Sequence, residues 1–202
     1  MNQIIKDEES KNLNYKKTPI GFLPEDWDVL KAGEIFSNHI DKNHDGDLEV
    51  LSATQDRGII PRNQLDIDIK FEKSSLKNYK KVEQGDFVIS LRSFQGGIEY
   101  SEYEGLVSPA YTVLKNKVEI DDRFYKYLFK KEDFITRLNS VIYGIRDGKQ
   151  ISYKDFKDLK IQYPPITEQK KIASILSTWD KAIELKEKLI EQKKELKKGL
   201  MQ

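Results

Sequence analysis

Pro164-Pro165-Ile166-Thr167-Glu168-Gln169-Lys170-Lys171-Ile172-Ala173-Ser174-Ile175-Leu176-Ser177-Thr178-Trp179-Asp180-Lys181-Ala182-Ile183 joins a double-proline stop to a long helix. Thr167 is the expected N-cap, and Glu168 in the first turn suits the helix dipole. From there Ile172, Ile175, Leu176, Trp179, Ala182, Ile183, Leu189, Ile190, Leu196 and Leu200 step by three, four or seven. Ile175, Ala182, Leu189 and Leu196 keep a strict seven-residue interval, with Leu176, Ile183 and Ile190 beside them, which is a coiled-coil seam. At about 1.5 Å per residue such a helix makes an arm of roughly 50 Å, longer than a body of about 150 residues can cover. Its far half, where Lys186 and Lys193 interrupt the stripe, is expected to pack against a second helix, because no return segment follows to fold it back. No Gly or Pro closes the helix at Leu200-Met201-Gln202, which leaves it open to continuation in a longer parent polypeptide.

The remaining sequence bounds the protein's class. With 202 residues, 38% of them hydrophobic and 10% aromatic, the chain can bury one sizeable core and carry an appendage. There is no Cys, which excludes a disulfide framework and a thiolate zinc site and suits a reducing cytosol. The first nine residues are too charged for a signal peptide, and no apolar run approaches the ~20 residues of a membrane span. A soluble, cytoplasmic protein is expected.

Net charge is +1, unevenly placed. Residues 166–202 hold nine Lys against one Asp and five Glu, which leaves 26 basic against 28 acidic residues in the body. A slightly acidic body argues against indiscriminate polyanion binding but leaves room for a local basic face. Lys70, Lys73, Lys77, Lys80 and Lys81 make one cluster; Arg137, Arg146 and Lys149 make another. Ordinary solvated charge is the bland reading of both.

Residues 1–17 read as a loose polar tail, 18–165 as the body and 166–202 as the helical arm. A packed turn at Thr18 to Trp27 is followed by a short helix over Lys31 to Ile40. Strands are expected at Glu49 to Ala53, Asp86 to Leu91, Gly97 to Glu99, Ala110 to Leu114 and Lys160 to Tyr163. Asp121 to Leu138 reads as one helix capped by Asp121 or Asp122, and Ser152 starts a short one. The class is α+β: a mixed body of short elements followed by one long C-terminal coiled-coil helix.

No catalytic set survives inspection. Asp41-Lys42-Asn43-His44-Asp45-Gly46-Asp47-Leu48-Glu49-Val50-Leu51-Ser52 follows a calcium loop at its first, third, fifth, sixth and eighth positions. It places Ser52 where the bidentate Glu belongs, and it leads into a strand, so ordinary turn chemistry is the better account. His39 and His44 are the only histidines and lack a third nitrogen or sulfur partner for zinc. Tyr163-Pro164-Pro165 puts Tyr where an adenine methyltransferase motif needs a polar amide or acid, and neither a Gly-rich cofactor loop nor a phosphate loop accompanies it. No metal and no cofactor are expected on this chain.

Two segments are suited to a polyanion or a base edge. Leu91-Arg92-Ser93-Phe94-Gln95-Gly96-Gly97-Ile98 sets Arg, Ser and Gln beside paired glycines that let a backbone come close. Tyr143-Gly144-Ile145-Arg146-Asp147-Gly148-Lys149-Gln150-Ile151-Ser152 repeats that vocabulary. Arg can bond guanine bidentately and Gln adenine, whereas Lys and Ser suit phosphate. Taken singly, each segment reads as readily as a plain turn; together they make Arg92, Ser93, Gln95, Gly96, Gly97, Tyr143, Arg146, Lys149 and Gln150 the candidates for facing a nucleic acid, with Lys80 and Lys81 the candidates for phosphates.

The run Pro164-Pro165, Glu168-Gln169, Ile172-Ala173, Leu176, Asp180 and Ile183 resembles the start of the spacer helix in specificity (S) subunits of type I restriction-modification systems. Ile20-Gly21, Pro24 and Trp27 resemble the beginning of their target-recognition domains. Leu91 to Gly97, Ser108-Pro109-Ala110-Tyr111 and Gly144 to Ile151 resemble segments inside one class of those domains. The family usually has two recognition domains and two helices per chain, so this chain resembles a half subunit, natural or truncated. The resemblance implies antiparallel pairing of two such helices in a homodimer, two recognition domains on a bipartite double-stranded DNA site, and docking of methyltransferase (M) and restriction (R) subunits. S-adenosylmethionine, ATP and Mg would then belong to those partners. The competing expectation is a coiled-coil adaptor or structural protein that binds no DNA, and a calcium-binding module is a third.

Overall fold

The computed structural model describes residues 14–65, 73–140 and 151–200, the side chains of 73, 74 and 94 excepted. In chain order its strands are β1 (Tyr15–Thr18), β2 (Gly21–Pro24), β3 (Asp28–Lys31), β4 (Phe36–His39), β5 (Leu51–Thr54), β6 (Gly58–Pro61), β7 (Lys80–Val82), β8 (Phe87–Ile89), β9 (Glu99–Tyr100), β10 (Gly105–Val107), β11 (Thr112–Asn116) and β12 (Lys160–Tyr163). The helices are α1 (Ala32–Ile35), α2 (Ser93–Gly96), α3 (Asp122–Leu128), α4 (Glu132–Ser140), α5 (Tyr153–Phe156) and α6 (Ile166–Leu200). This is the expected α+β architecture with a long terminal helix.

A strand lies within the segment that composition marks as a tail. β1 pairs antiparallel with β2 from Tyr15↔Pro24 to Thr18↔Gly21. Thr18 locks the turn, its hydroxyl donating to the Gly21 carbonyl at 2.7 Å and accepting the Ile20 N–H at 3.3 Å. The expected tail to residue 17 therefore overlaps a strand, while residues 1–13 lie outside the described residues.

A ring of short strands forms the center of the body. β4, β11, β8 and β9 are an antiparallel sheet in that order. β9 meets β6 through a parallel bridge, Ile59↔Ser101, and the β5–β6 hairpin meets β10 through another, Val50↔Leu106. β10 pairs with β7, and the Lys81 N–H donates to the Asp41 carbonyl at 2.8 Å, which brings the circuit back to the end of β4. Few edge groups are left open by such a circuit.

Side chains sort between two cores with the period of two that a strand imposes. On β8, Val88 enters the ring with Leu51, Ile59, Val82, Val107 and Val113. Its neighbors Phe87 and Ile89 face outward, into the larger core covered by the helices. On β11, Val113 and Leu114 divide in the same way.

Two expected helices are changed by this packing. The one over Lys31 to Ile40 shrinks to the single turn α1, because Phe36–His39 are taken by the ladder with β11, from Asn116↔Phe36 to Val113↔His39. The one over Asp121 to Leu138 breaks into α3 and α4. Phe129 and Phe134 are five residues apart, so an unbroken helix would point them about 140° apart. With the break both are buried and their ring centroids lie 4.8 Å apart. Asp121 is the cap, its carboxylate accepting from the backbone N–H groups of Arg123 and Phe124.

The root of α6 is bonded to the body at several points. Pro165, not Thr167, precedes the first turn, and its carbonyl accepts from Glu168 and Gln169. Gln169 is buried; its Oε1 accepts the Asp121 N–H at 2.9 Å and its Nε2 donates to the Pro164 carbonyl at 2.8 Å. The Trp27 indole N–H donates to the Glu168 carboxylate. The Tyr127 hydroxyl, whose pKa burial pushes up to about 12, donates to Asp180 at 2.7 Å. Replacing Gln169 by Leu strands a buried N–H and a buried carbonyl and is expected to cost about 1–3 kcal/mol in urea unfolding. A cost near zero would mean that these two bonds do not hold the arm.

Candidate functional site

The registers gather the chemistry on one rim of the ring. Thr112 faces Ile89 and Val113 faces His39, so the segments after β8 and β4 lie beside the start of β11. Val88 faces Glu99, β6 runs parallel to β9, and Thr54 faces Gly58, which brings the β5–β6 turn to the same end. Val107 faces Lys80, which adds the start of β7 and the segment after β10. Lys42, Gln55, Arg57, Lys80, Arg92, Gln95 and Tyr111 therefore share one end of the barrel although they span much of the sequence.

Of the residues predicted from sequence, Arg92 and Gln95 are exposed on this rim. Ser93 is not. It is 1% exposed, and its hydroxyl accepts the Ser90 N–H at 2.8 Å, so it holds the end of β8 to α2 instead of presenting a donor outward. The paired glycines serve the fold as well. A Cβ on Gly96 would lie 3.0 Å from Gln55, and one on Gly97 only 2.0 Å from the Phe129 carbonyl oxygen.

Lys80 and Lys81 alternate across β7 and meet different fates. The Lys80 ammonium donates to the Tyr111 carbonyl; burial and then nearby Lys42 lower its pKa, which marks a place where positive charge is gathered. Lys81 is engaged by Glu104 at 2.8 Å and Glu83 at 3.4 Å, partners that raise its pKa and compete with any phosphate. Tyr143, Arg146, Lys149 and Gln150 lie outside the described residues; their segment follows α4, the helix against which α2 packs.

Sequence reading passed over Gln55, Arg57 and Tyr79, and met Tyr111 only as part of a family-like segment. Thr54 shapes the turn that carries the first two, its hydroxyl donating to the Gly58 carbonyl at 2.9 Å and accepting the Arg57 N–H at 3.1 Å. The spelling Thr54-Gln55-Asp56-Arg57-Gly58 between two apolar runs is the signal that could have found it. Arg62 donates to the Ser52 hydroxyl at 3.0 Å and lies 6.0 Å from the centroid of the Tyr79 ring, while burial raises the phenol of Tyr111, with Arg62 and Arg92 acting the other way. Cations interleaved with aromatic faces suit a nucleic-acid backbone and its bases.

The calcium-like loop is wired as a turn. Asp41 Oδ1 accepts the Asn43 N–H at 2.8 Å; His44 Nδ1 accepts the Gly46 N–H at 3.2 Å, which leaves Nε2 to donate to the Tyr79 carbonyl at 3.0 Å. Among the described residues no group of three His, Cys, Asp or Glu could hold a metal ion, and no helix is long and apolar enough to cross a membrane.

The predicted dimerization seam divides along its length. Ile172 is half-buried against the body and Leu176 is also half-buried, whereas Ile175, Trp179, Ala182, Ile183, Leu189, Ile190 and Leu196 are exposed. Trp179 is 66% exposed and Leu185 67%, and every residue from Thr178 to Leu200 is exposed. The last twenty of these project by about 30 Å.

A family model described as type I restriction modification DNA specificity domain matches residues 24–195. The chain is 28% identical over 199 residues to the putative type I restriction enzyme MjaX specificity subunit of Methanocaldococcus jannaschii, covering 93% of this chain and 44% of that protein. It is 28% identical over 200 residues to the MjaVIII specificity subunit of the same organism, covering 95% and 44%. It thus spans about half the length of these curated relatives. Its fold is shared with the HsdS subunit from Thermoanaerobacter tengcongensis, at a TM-score of 0.53 and 16% identity over 91% of this chain and 44% of that one. A second solved structure, concerned with complex assembly and conformational transition of the type I R-M system, matches at a TM-score of 0.55 and 16% identity over 91% and 45%.

Proposed function

Because the chain belongs to the family of type I restriction-modification DNA specificity domains, we propose that it is a non-catalytic module reading one half of a bipartite DNA site. The observation that carries this reading is the single rim on which Arg92, Gln95, Gln55, Arg57 and Lys80 converge. Arg92 and Gln95 supply base-edge donors and acceptors, and Lys80 with Lys42 supplies charge for the phosphates. Lys81 has a lesser part, since a phosphate must compete with Glu104 for it. Arg146, Lys149 and Gln150 extend the reading surface in this proposal. Methyl transfer from S-adenosylmethionine and ATP-driven cleavage belong to M and R subunits that this module positions.

Duplex binding is the test. Affinity for a selected site is expected to fall steeply as salt rises, because displaced phosphate counterions drive association. Arg92→Ala is expected to relax preference at one base pair by about 1–3 kcal/mol, leaving nonspecific binding nearly unchanged. Equal loss on specific and random duplexes would remove Arg92 from the base-reading set, and no duplex binding at any salt would favor the adaptor reading.

The exposed seam of α6 is the proposed contact with a second copy, antiparallel, which would hold two reading rims at a fixed separation. An Ile183→Glu, Ile190→Glu pair puts two charges into that seam at heptad spacing. Multi-angle light scattering is expected to give a dimer for the parent and a monomer for the variant. A parent that stays monomeric at high concentration would remove self-association from the proposal.

A further inference from the structure

Gln55 and Gln95 lie forty residues apart, on different elements, and meet through one hydrogen bond from Gln55 Nε2 to Gln95 Oε1 at 3.0 Å. Both side chains are exposed, where a neutral amide pair by itself adds little to stability. Beneath them lies a stronger restraint. The Lys130 ammonium donates to the backbone carbonyl of Gln55 at 3.2 Å, to that of Gly96 at 2.8 Å and to the Glu99 carboxylate at 2.7 Å.

Those bonds use all three protons of the ammonium. Glu99 is 1% exposed, so its charge depends on Lys130 for compensation; burial pushes its carboxyl pKa up and the ammonium acts against that. Lys130 sits where α3 gives way to α4, so one cation ties the β5–β6 turn, α2 and β9 to the helical layer. It has no proton left for a phosphate. Its effect is to set the separation of the two glutamines.

Once paired, the amides keep hydrogen-bonding capacity that the pair does not use, among it the acceptor Oε1 of Gln55 and the donor Nε2 of Gln95. Exchanging the two amides still leaves one free acceptor and one free donor. A donor and an acceptor side by side complement the N7 acceptor and N6 donor of adenine in the major groove.

We propose that Gln55 and Gln95 act as one coupled element that reads a single A·T pair, with Lys130 as its positioning residue. This rests on the DNA-reading function above and names a specificity residue, Gln55, and a support for it.

Selection from random duplexes, with the full chain as parent and as Gln55→Ala, Gln95→Ala, the double variant and Lys130→Met, tests it. The parent consensus is expected to contain an A·T position at which each variant loses on the order of 10-fold in discrimination, the other positions being retained. The double variant is expected to lose no more than the worse single one, because either deletion breaks the element. The glutamines are exposed, so their variants fold whatever becomes of Lys130→Met. An unchanged consensus in both glutamine variants overturns this inference and leaves DNA reading standing. Lys130→Met that lowers the melting temperature but keeps the A·T preference overturns the positioning role. A parent without any consensus overturns the DNA-reading function, and this inference with it.

Discussion

Phe129→Ala is expected to lower the free energy of unfolding by about 3–5 kcal/mol, a large share of the roughly 5–15 kcal/mol that holds a domain folded. The ring has centroid distances of 4.8 Å to Phe134, 5.1 Å to Phe87, 5.5 Å to Phe36, 5.7 Å to Tyr125 and 6.2 Å to Phe156. It therefore touches the sheet, α3, α4 and α5 at once, and its removal leaves a void that none of these can close without moving the others. Urea unfolding followed by near-UV circular dichroism reads the loss, since the affected rings are the chromophores. A cost below about 1.5 kcal/mol would show that the helical layer rests on the sheet by other means.

Gly97→Ala is the second large effect, expected at about 3 kcal/mol or more. Gly97 has φ +81, a conformation that L side chains rarely adopt, and its Cβ would be placed 2.0 Å from the carbonyl oxygen of Phe129. A backbone oxygen cannot swing aside as a side chain can, so strain and clash add. Gly96→Ala is the internal control. There the Cβ meets the Gln55 side chain at 3.0 Å, and Gly96 is not a positive-φ position, so stability is expected to fall by less than about 1 kcal/mol while the turn bearing Gln55 shifts. If both variants unfolded alike in urea, the close approach to Phe129 would not be what requires a glycine at 97.

These glycines show where sequence reading reached its limit. Gly96-Gly97 beside Arg92 and Gln95 reads as a place where a ligand's backbone comes close. The backbone that comes close is the chain's own, brought by a helix break that periodicity does not reveal. Ser93 misled in the same way: a hydroxyl next to Arg is a plausible groove reader until its neighbor Ser90 is seen to occupy it. Lys80 and Lys81 are equivalent as letters, and the alternation of β7 sends one to the Tyr111 carbonyl and the other to Glu104. Gln55 sits in a hairpin turn whose second strand, β6, contains Gly58 and Pro61, residues that by themselves signal a break and not a strand.

What the amino-acid sequence determines by itself is local or periodic. The seven-residue interval along Ile175, Ala182, Leu189 and Leu196 determines a long helix with an apolar seam. The β-branched runs near Phe87–Ile89 and Thr112–Asn116, and the cap at Asp121, follow from backbone preferences within a few residues. Tertiary structure alone decided the ring, because strands of two to five residues carry too few side chains to specify a partner, and its closure depends on pairs such as Val50↔Leu106 and Ile59↔Ser101 that lie more than forty residues apart. For the same reason it alone decided the reading rim: which side chains share a surface is set by strand register, and register is a property of the packed core, not of any one segment.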